Sequence, residues 1–179
     1  MTAQNFSPIM DAIYNLEGGF SNDPRDPGGI TMHGVTAASW AVWLRVPLST
    51  ITAAQMAALT TAETDPFYHA MYWNIIDGDS LPGGVDAMLM HMAVNAGEGV
   101  AGRELQAIVG VVQDAQIGPK TLGAVETYIQ YAGVKALIQA IASAQLSHYM
   151  TLPGWVYYHN GWTNRVNAIE ALAQKLAAA

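Results

Sequence analysis

The 179-residue chain has no cysteine. Disulfides, thiolate metal sites and cysteine nucleophiles are excluded together. Charge is sparse as well, with only 12% of residues Asp, Glu, Lys or Arg. Even so, no uninterrupted apolar run reaches the roughly 18 residues that a membrane span needs, because Arg45, His91 and Lys135 break the most apolar stretches. Stable membrane insertion is therefore not expected. Basic residues are the scarcest: none precedes Arg25, and the opening Met-Thr-Ala-Gln-Asn-Phe-Ser-Pro has no apolar core, so it does not read as a secretory signal.

The net charge of −7 is unevenly spread. Residues 1–101 hold ten acids against Arg25 and Arg45, whereas residues 102–179 hold four acids against five bases. An acidic first half repels phosphate backbones, which argues against a nucleic-acid partner. The five histidines form no His-Glu-x-x-His and no close ligand pair. Asp77-Gly-Asp79 begins like a calcium loop, but its twelfth position, which needs a bidentate Glu, is Met88. No metal or cofactor is expected.

Apolar spacing predicts a chain that is mostly helical. Ser7-Pro8 suits a helix start, Ile9, Ala12, Ile13 and Leu16 follow at helical spacing, and Gly18-Gly19 ends the run. Residues 18–35, rich in Gly and Pro, read as a loop or small β-hairpin. Further helices are predicted over 36–45, 52–59, 61–73, 84–96, 98–109, 119–131, 133–150 and 161–178, punctuated by Pro47, Pro82, Gly118-Pro119 and Pro153-Gly154. The fold class is mostly α, a helical bundle with one small β-hairpin beside the first helix.

Chemistry concentrates at that first break. Glu17 falls in the last helical turn, where the negative end of the macrodipole favours the neutral acid over the carboxylate. Asp26 follows nine residues later, across the Gly- and Pro-rich segment, with Thr31 beyond it. Glycosidic cleavage needs one protonated carboxyl for the leaving oxygen and a second polar group to place water or steady charge. Glu17, Asp26 and Thr31 fit those roles. Asp23-Pro and Asp26-Pro fit ordinary turns equally well, with Glu17 as a solvated helix end.

Glu17-Gly-Gly-Phe, then Asn-Asp23-Pro-x-Asp26-x-Gly-Gly-x-Thr31-x-x-Gly34-Val-Thr36, resembles the N-terminal motif of glycoside hydrolase family 108. These are N-acetylmuramidases found as phage endolysins and bacterial secretion activators. Tyr72-Trp73 and Leu81-Pro82-x-Gly-Val85-Asp86 resemble the end of the family's catalytic region. Ala93-Val94-Asn95-x-Gly97, Leu105-Gln106, Ile117-Gly118-Pro119-x-Thr121-Leu122 and Gly161-Trp162-x-Asn164-Arg165-Val166 resemble its peptidoglycan-binding segment. Phe20 stands where the family often has Tyr, His91 where Asp is common, and Ala115 where Gly is common.

The resemblance implies a lysozyme-like α+β fold, with a catalytic region over 1–87 and a helical peptidoglycan-binding region over 88–179 packed into one globule. It implies that Glu17 is the essential acid. Phage-type lysozymes place an Asp nine residues after their Glu and a Thr six beyond that. Asp26 fits this pattern, while Thr31 falls one residue short, which keeps Asp23 open as the second carboxylate. The implied reaction is muramidase cleavage of peptidoglycan glycan strands, by inversion if a water sits between the two groups. A lytic transglycosylase and a non-catalytic wall-binding, secretion-assisting protein are the alternatives. Tyr72, Trp73, Trp155 and Tyr158 are candidates to stack on sugar rings, and Asn95 to bond an acetamido group. The expected protein is a monomer made in the cytoplasm of a bacterial host without a signal peptide. It would act on the wall, with holin-dependent release if it is an endolysin.

Overall fold

The computed structural model describes residues 5–22 and 29–178, with Glu17 described in its backbone alone. Among these residues lie nine α-helices and one two-stranded antiparallel hairpin. The mostly-α class with one small hairpin, expected from the sequence, holds. Contacts divide the chain into two units, Met10–His69 and Met1–Ile9 with Ala70–Ala179. This division concerns packing, while the expected regions 1–87 and 88–179 concern function.

Helix α1 spans Phe6–Glu17 and begins slightly earlier than Ser7-Pro8 suggests. Pro8 lies in its first turn, where a missing N–H forfeits no helical hydrogen bond. Ile9, Met10 and Ile13 form its buried stripe. The helix stops at Glu17 because Gly18 adopts φ +81°, a left-handed conformation natural to glycine.

In the Met10–His69 unit, strands β1 (Thr31–Met32) and β2 (Val35–Thr36) pair Thr31 with Thr36 and Met32 with Val35. The two-residue turn His33-Gly34 has positive φ at both positions, 52° and 79°, as the right-handed twist of a tight hairpin requires. Thr36 then caps α2 (Ala37–Leu44), its Oγ1 accepting the Ser39 N–H at 3.0 Å. A 3₁₀ turn (Leu48–Thr50) leads to α3 (Ala53–Ala57) and α4 (Thr61–Tyr68). Both helices open on reciprocal capping boxes, Thr52 with Gln55 and Thr60 with Glu63. Each such cap contributes about 1 kcal/mol. Trp40, Met56, Leu59, Phe67 and Tyr68 are buried, and Phe67 meets Trp40 and Tyr68 edge-on.

A π-helical turn, His69–Trp73, leads out of this unit, and in the other unit Gly78–Ser80 forms a 3₁₀ turn. Helix α5 (Val85–Ala96) is buried at every position from Val85 to Ala93, as suits a central helix apolar on nearly all sides. Around it pack α6 (Glu98–Val109), α8 (Val134–Met150) and α9 (Trp155–Leu176), while α7 (Pro119–Ala132) packs on α6 and α8. Gly84 precedes α5 at φ +87°, where any side chain would collide with the Ala173 carbonyl. Asp86 is buried in the first turn of α5. It accepts hydrogen bonds from Asn5 Nδ2 at 2.8 Å and from the Gly84 and Ala87 N–H groups at 2.7 Å each. Burial nevertheless pushes its carboxyl above the usual carboxylate range, against the pull of those donors.

Helix α9 starts six residues before the predicted 161. A side chain at Gly161 would meet nothing within 4 Å among the described residues, and the helix runs through it, while the Trp155 and Tyr158 rings each contact that of Trp162 along it.

The loop between α6 and α7 winds around the Gln106 amide. Its Nε2 donates to Asp114 Oδ1 at 2.7 Å and to the Gln116 carbonyl at 3.1 Å, and its Oε1 accepts the Ala115 N–H at 2.8 Å. This geometry leaves Ala115 at φ +64°, which a non-glycine residue adopts at a cost of roughly 1–2 kcal/mol. Glycine would remove that strain and give back part of the gain through its freer unfolded chain. Ala115→Gly is therefore expected to stabilise by about 0.5–1 kcal/mol, a rise of about 2 °C in Tm by thermal unfolding.

Candidate active site

Glu17 is the last residue of α1, and the chain turns at Gly18. Four residues on, Ser21 pairs with Thr31: each N–H donates to the other's carbonyl at 2.9 Å. On its other side Thr31 pairs with Thr36. Four extended residues span at most about 14 Å, so the end of α1 and the Thr31 strand belong to one small structure. Glu17 thus lies four residues along the backbone from the residue that pairs with Thr31, and Thr31 is half-buried. Asp23 and Asp26 fall in sequence between the paired residues, outside the described residues, as does the Glu17 side chain.

A ring and hydroxyl network holds this hairpin, and the sequence did not single it out. The Tyr68 hydroxyl donates to the His33 carbonyl at 2.8 Å, and His33 Nε2 lies 3.2 Å from the Leu59 carbonyl, to which it donates in the Nε2–H tautomer. The Tyr14 ring meets His33 and Tyr68 edge-on, with centroids at 5.4 and 5.8 Å. Its hydroxyl donates to Asp65 Oδ1 at 2.7 Å and lies 2.8 Å from Thr64 Oγ1. Burial pushes the Tyr14 phenol well above its ordinary value. Thr64 opposes this, and Asp65 adds to it by hydrogen bond and by charge. The sequence signal available for Tyr14 was its place three residues before Glu17, one turn back along the same helix.

The remaining candidates lie in the other unit. Tyr72 sits half-buried in the π-helical turn, a feature frequent at functional sites. Burial, and then the charge of Glu98, raises its phenol. Trp73 corrects the expectation of a groove residue. It is 0% exposed, with Phe6 edge-on at 5.4 Å, the Gly78 backbone against its ring, and Nε1 donating to Asp79 Oδ1 at 2.9 Å. It is a core side chain with no ring face left for a sugar. Asn95 closes α5: its Nδ2 donates to the His91 carbonyl at 3.0 Å and its Oδ1 accepts from Arg165 Nη1 at 3.3 Å. Trp155 is half-buried and Tyr158 is 61% exposed. They meet on Trp162, with centroids at 6.3 and 6.0 Å from its ring. A pocket of about 770 Å³, lined by Gln106, Val111, Asp114, Lys120 and Thr121 among others, opens where α6 ends and α7 begins. Among the described residues, no three His, Asp or Glu side chains are grouped to hold a metal ion.

The sequence model of the family described as glycosyl hydrolase 108 matches residues 10–97. Among solved structures, that of Brucella abortus SagA is similar at 33% identity and a TM-score of 0.86, over 98% of this chain and 97% of that one. The chain belongs to glycosyl hydrolase family 108. No curated protein matches it. Family 108 membership makes the chain a glycoside hydrolase of the peptidoglycan-cleaving kind. The family 108 match holds Glu17, Asp23, Asp26, Thr31, Tyr72, Trp73 and Asn95, and leaves Trp155 and Tyr158 outside it.

Proposed function

We propose that this protein is an N-acetylmuramidase that cleaves the β-1,4 bond between N-acetylmuramic acid and N-acetylglucosamine, with Glu17 as the general acid. The observation that supports it best is the Ser21–Thr31 pair, which ties the Thr31 strand to the chain four residues after Glu17 in a family 108 hydrolase. In this reading the neutral Glu17 carboxyl protonates the leaving glycosidic oxygen. Asp26, with Asp23 as the alternative, stays ionised and steadies the oxocarbenium-like sugar, and Thr31 orients the attacking water. A water held between the two groups gives inversion. Tyr72, Asn95, Trp155 and Tyr158 are proposed contacts for the glycan strand. The use is lysis of bacterial cells or remodelling of their wall.

Digestion of purified peptidoglycan followed by reduction and mass spectrometry tests the bond. Muropeptides ending in reduced N-acetylmuramic acid are expected. Reduced N-acetylglucosamine ends would mean the neighbouring bond is cut. 1,6-Anhydro ends would mean a lytic transglycosylase, and binding without any product would mean a wall-binding protein.

A further inference from the structure

The general-acid reading leaves the Tyr14 network unexplained, although that network sits where such a reaction needs precision. Tyr14 precedes Glu17 by three residues on α1. Its ring touches His33 in the hairpin turn and Tyr68 on α4, and its hydroxyl is held by Thr64 and Asp65, also on α4. One side chain therefore joins the acid-bearing helix, the hairpin and α4. The hairpin end of this link is equally fixed. His33 is held at φ +52°, its carbonyl bonded by the Tyr68 hydroxyl and its Nε2 set against the Leu59 carbonyl. Thr31 lies two residues before His33. The last carbonyls of a helix have no partners within it, so the turn that ends at Glu17 is the one most prone to fray unless side chains anchor it.

We propose that Tyr14 is a positioning residue for glycan cleavage, locking the last turn of α1, which carries Glu17, to the hairpin turn two residues beyond Thr31. The inference rests on the reading of Glu17 as general acid. Half-buried, doubly bonded hydroxyls such as that of Tyr14 set angles more tightly than apolar contacts do, because they have direction as well as distance. Misplacement of an acid by a fraction of an ångström lowers the rate of the chemical step and leaves remote glycan contacts alone.

The test is steady-state cleavage of soluble, uncrosslinked muropeptide oligomers at a temperature well below unfolding, with wild type and Glu17→Gln run alongside. Tyr14→Phe keeps the ring and removes the hydroxyl. It is expected to lower kcat about ten-fold with KM within about two-fold. Tyr68→Phe releases the His33 carbonyl and is expected to act in the same direction. The double variant should fall short of the product of the single losses, because both relax one helix–hairpin angle. A kcat unchanged in Tyr14→Phe, or a loss that merely follows the unfolded fraction, overturns the positioning role. Should Tyr14→Phe not fold, Tyr68→Phe decides by the same kcat and KM split. A wild type that does not cleave, or a fully active Glu17→Gln, instead overturns the muramidase reading itself.

Discussion

Glu17→Gln is expected to lower peptidoglycan cleavage about a thousand-fold, since a positioned general acid contributes roughly 10²–10⁴ to such reactions. Glutamine keeps the size and shape of the side chain and can still donate an N–H hydrogen bond, but it has no acidic proton to give the leaving oxygen. The substitution isolates that proton from geometry. Its cost to the fold is small, because residue 17 ends α1, where the helix macrodipole opposes negative charge. Thermal unfolding of the variant should match wild type or rise slightly. Clearing of purified walls and release of reducing ends provide the measurement. Activity within about ten-fold of wild type, in a variant with wild-type Tm, would remove Glu17 from the role.

The sequence made the helices legible because their signals are local. Apolar spacing and the stops at Gly18, Pro82, Gly118-Pro119 and Pro153-Gly154 place all but one of the helices of twelve residues or more within a residue or two, whereas the predicted 61–73 divides into α4, which ends at Tyr68, and the π-helical turn His69–Trp73. The exception is α9, which continues through Gly161 because its own aromatic residues pack along it. The hairpin was legible too, through the glycines and prolines around it. What escaped depends on contacts between residues far apart in the chain. Tyr14 meets Thr64 and Asp65 across 50 and 51 residues, and no motif marks such a meeting. In Tyr72-Trp73 the two aromatics looked alike, whereas the fold leaves one half-buried and buries the other completely. Helical spacing alone does not say which of two adjacent rings faces the core. His91 likewise read as ordinary, since only the packing of α5, α8 and α9 reveals what surrounds it.

That packing makes the protein sensitive to acid. His91 is buried on the central helix, its Nδ1 is 3.1 Å from Gln145 Oε1, and Gln145 in turn donates to the Tyr149 hydroxyl at 2.8 Å. The Gln145 carbonyl oxygen fixes the Nδ1–H tautomer, and Nε2 is left buried without a hydrogen-bond partner among the described residues. Burial, and secondarily the charge of Arg165, lowers the imidazole from 6.5 to about 4, against the pull of Gln145. In the unfolded chain His91 takes up a proton near pH 6.5, whereas the folded protein refuses it until about pH 4. Between these values the unfolded state binds more protons, so its contribution to stability is full above pH 6.5 and is lost as pH falls toward 4. The loss amounts to about 3 kcal/mol, a large share of the roughly 5–15 kcal/mol that holds a domain together. Asp86 works in the opposite sense: its raised carboxyl takes up protons first in the folded state, and this group favours folding as pH falls. A variant that changes His91 alone separates the two. His91→Asn can still donate to Gln145 but does not titrate, and the smaller side chain is expected to lower stability at pH 7 by about 1–3 kcal/mol. Urea unfolding at pH 7, 5.5 and 4.5 should then show wild type losing its advantage step by step, until the two proteins are nearly equal at the lowest pH. Parallel stability curves would assign the acid sensitivity to groups other than His91 and Asp86 and leave His91 a neutral packing residue.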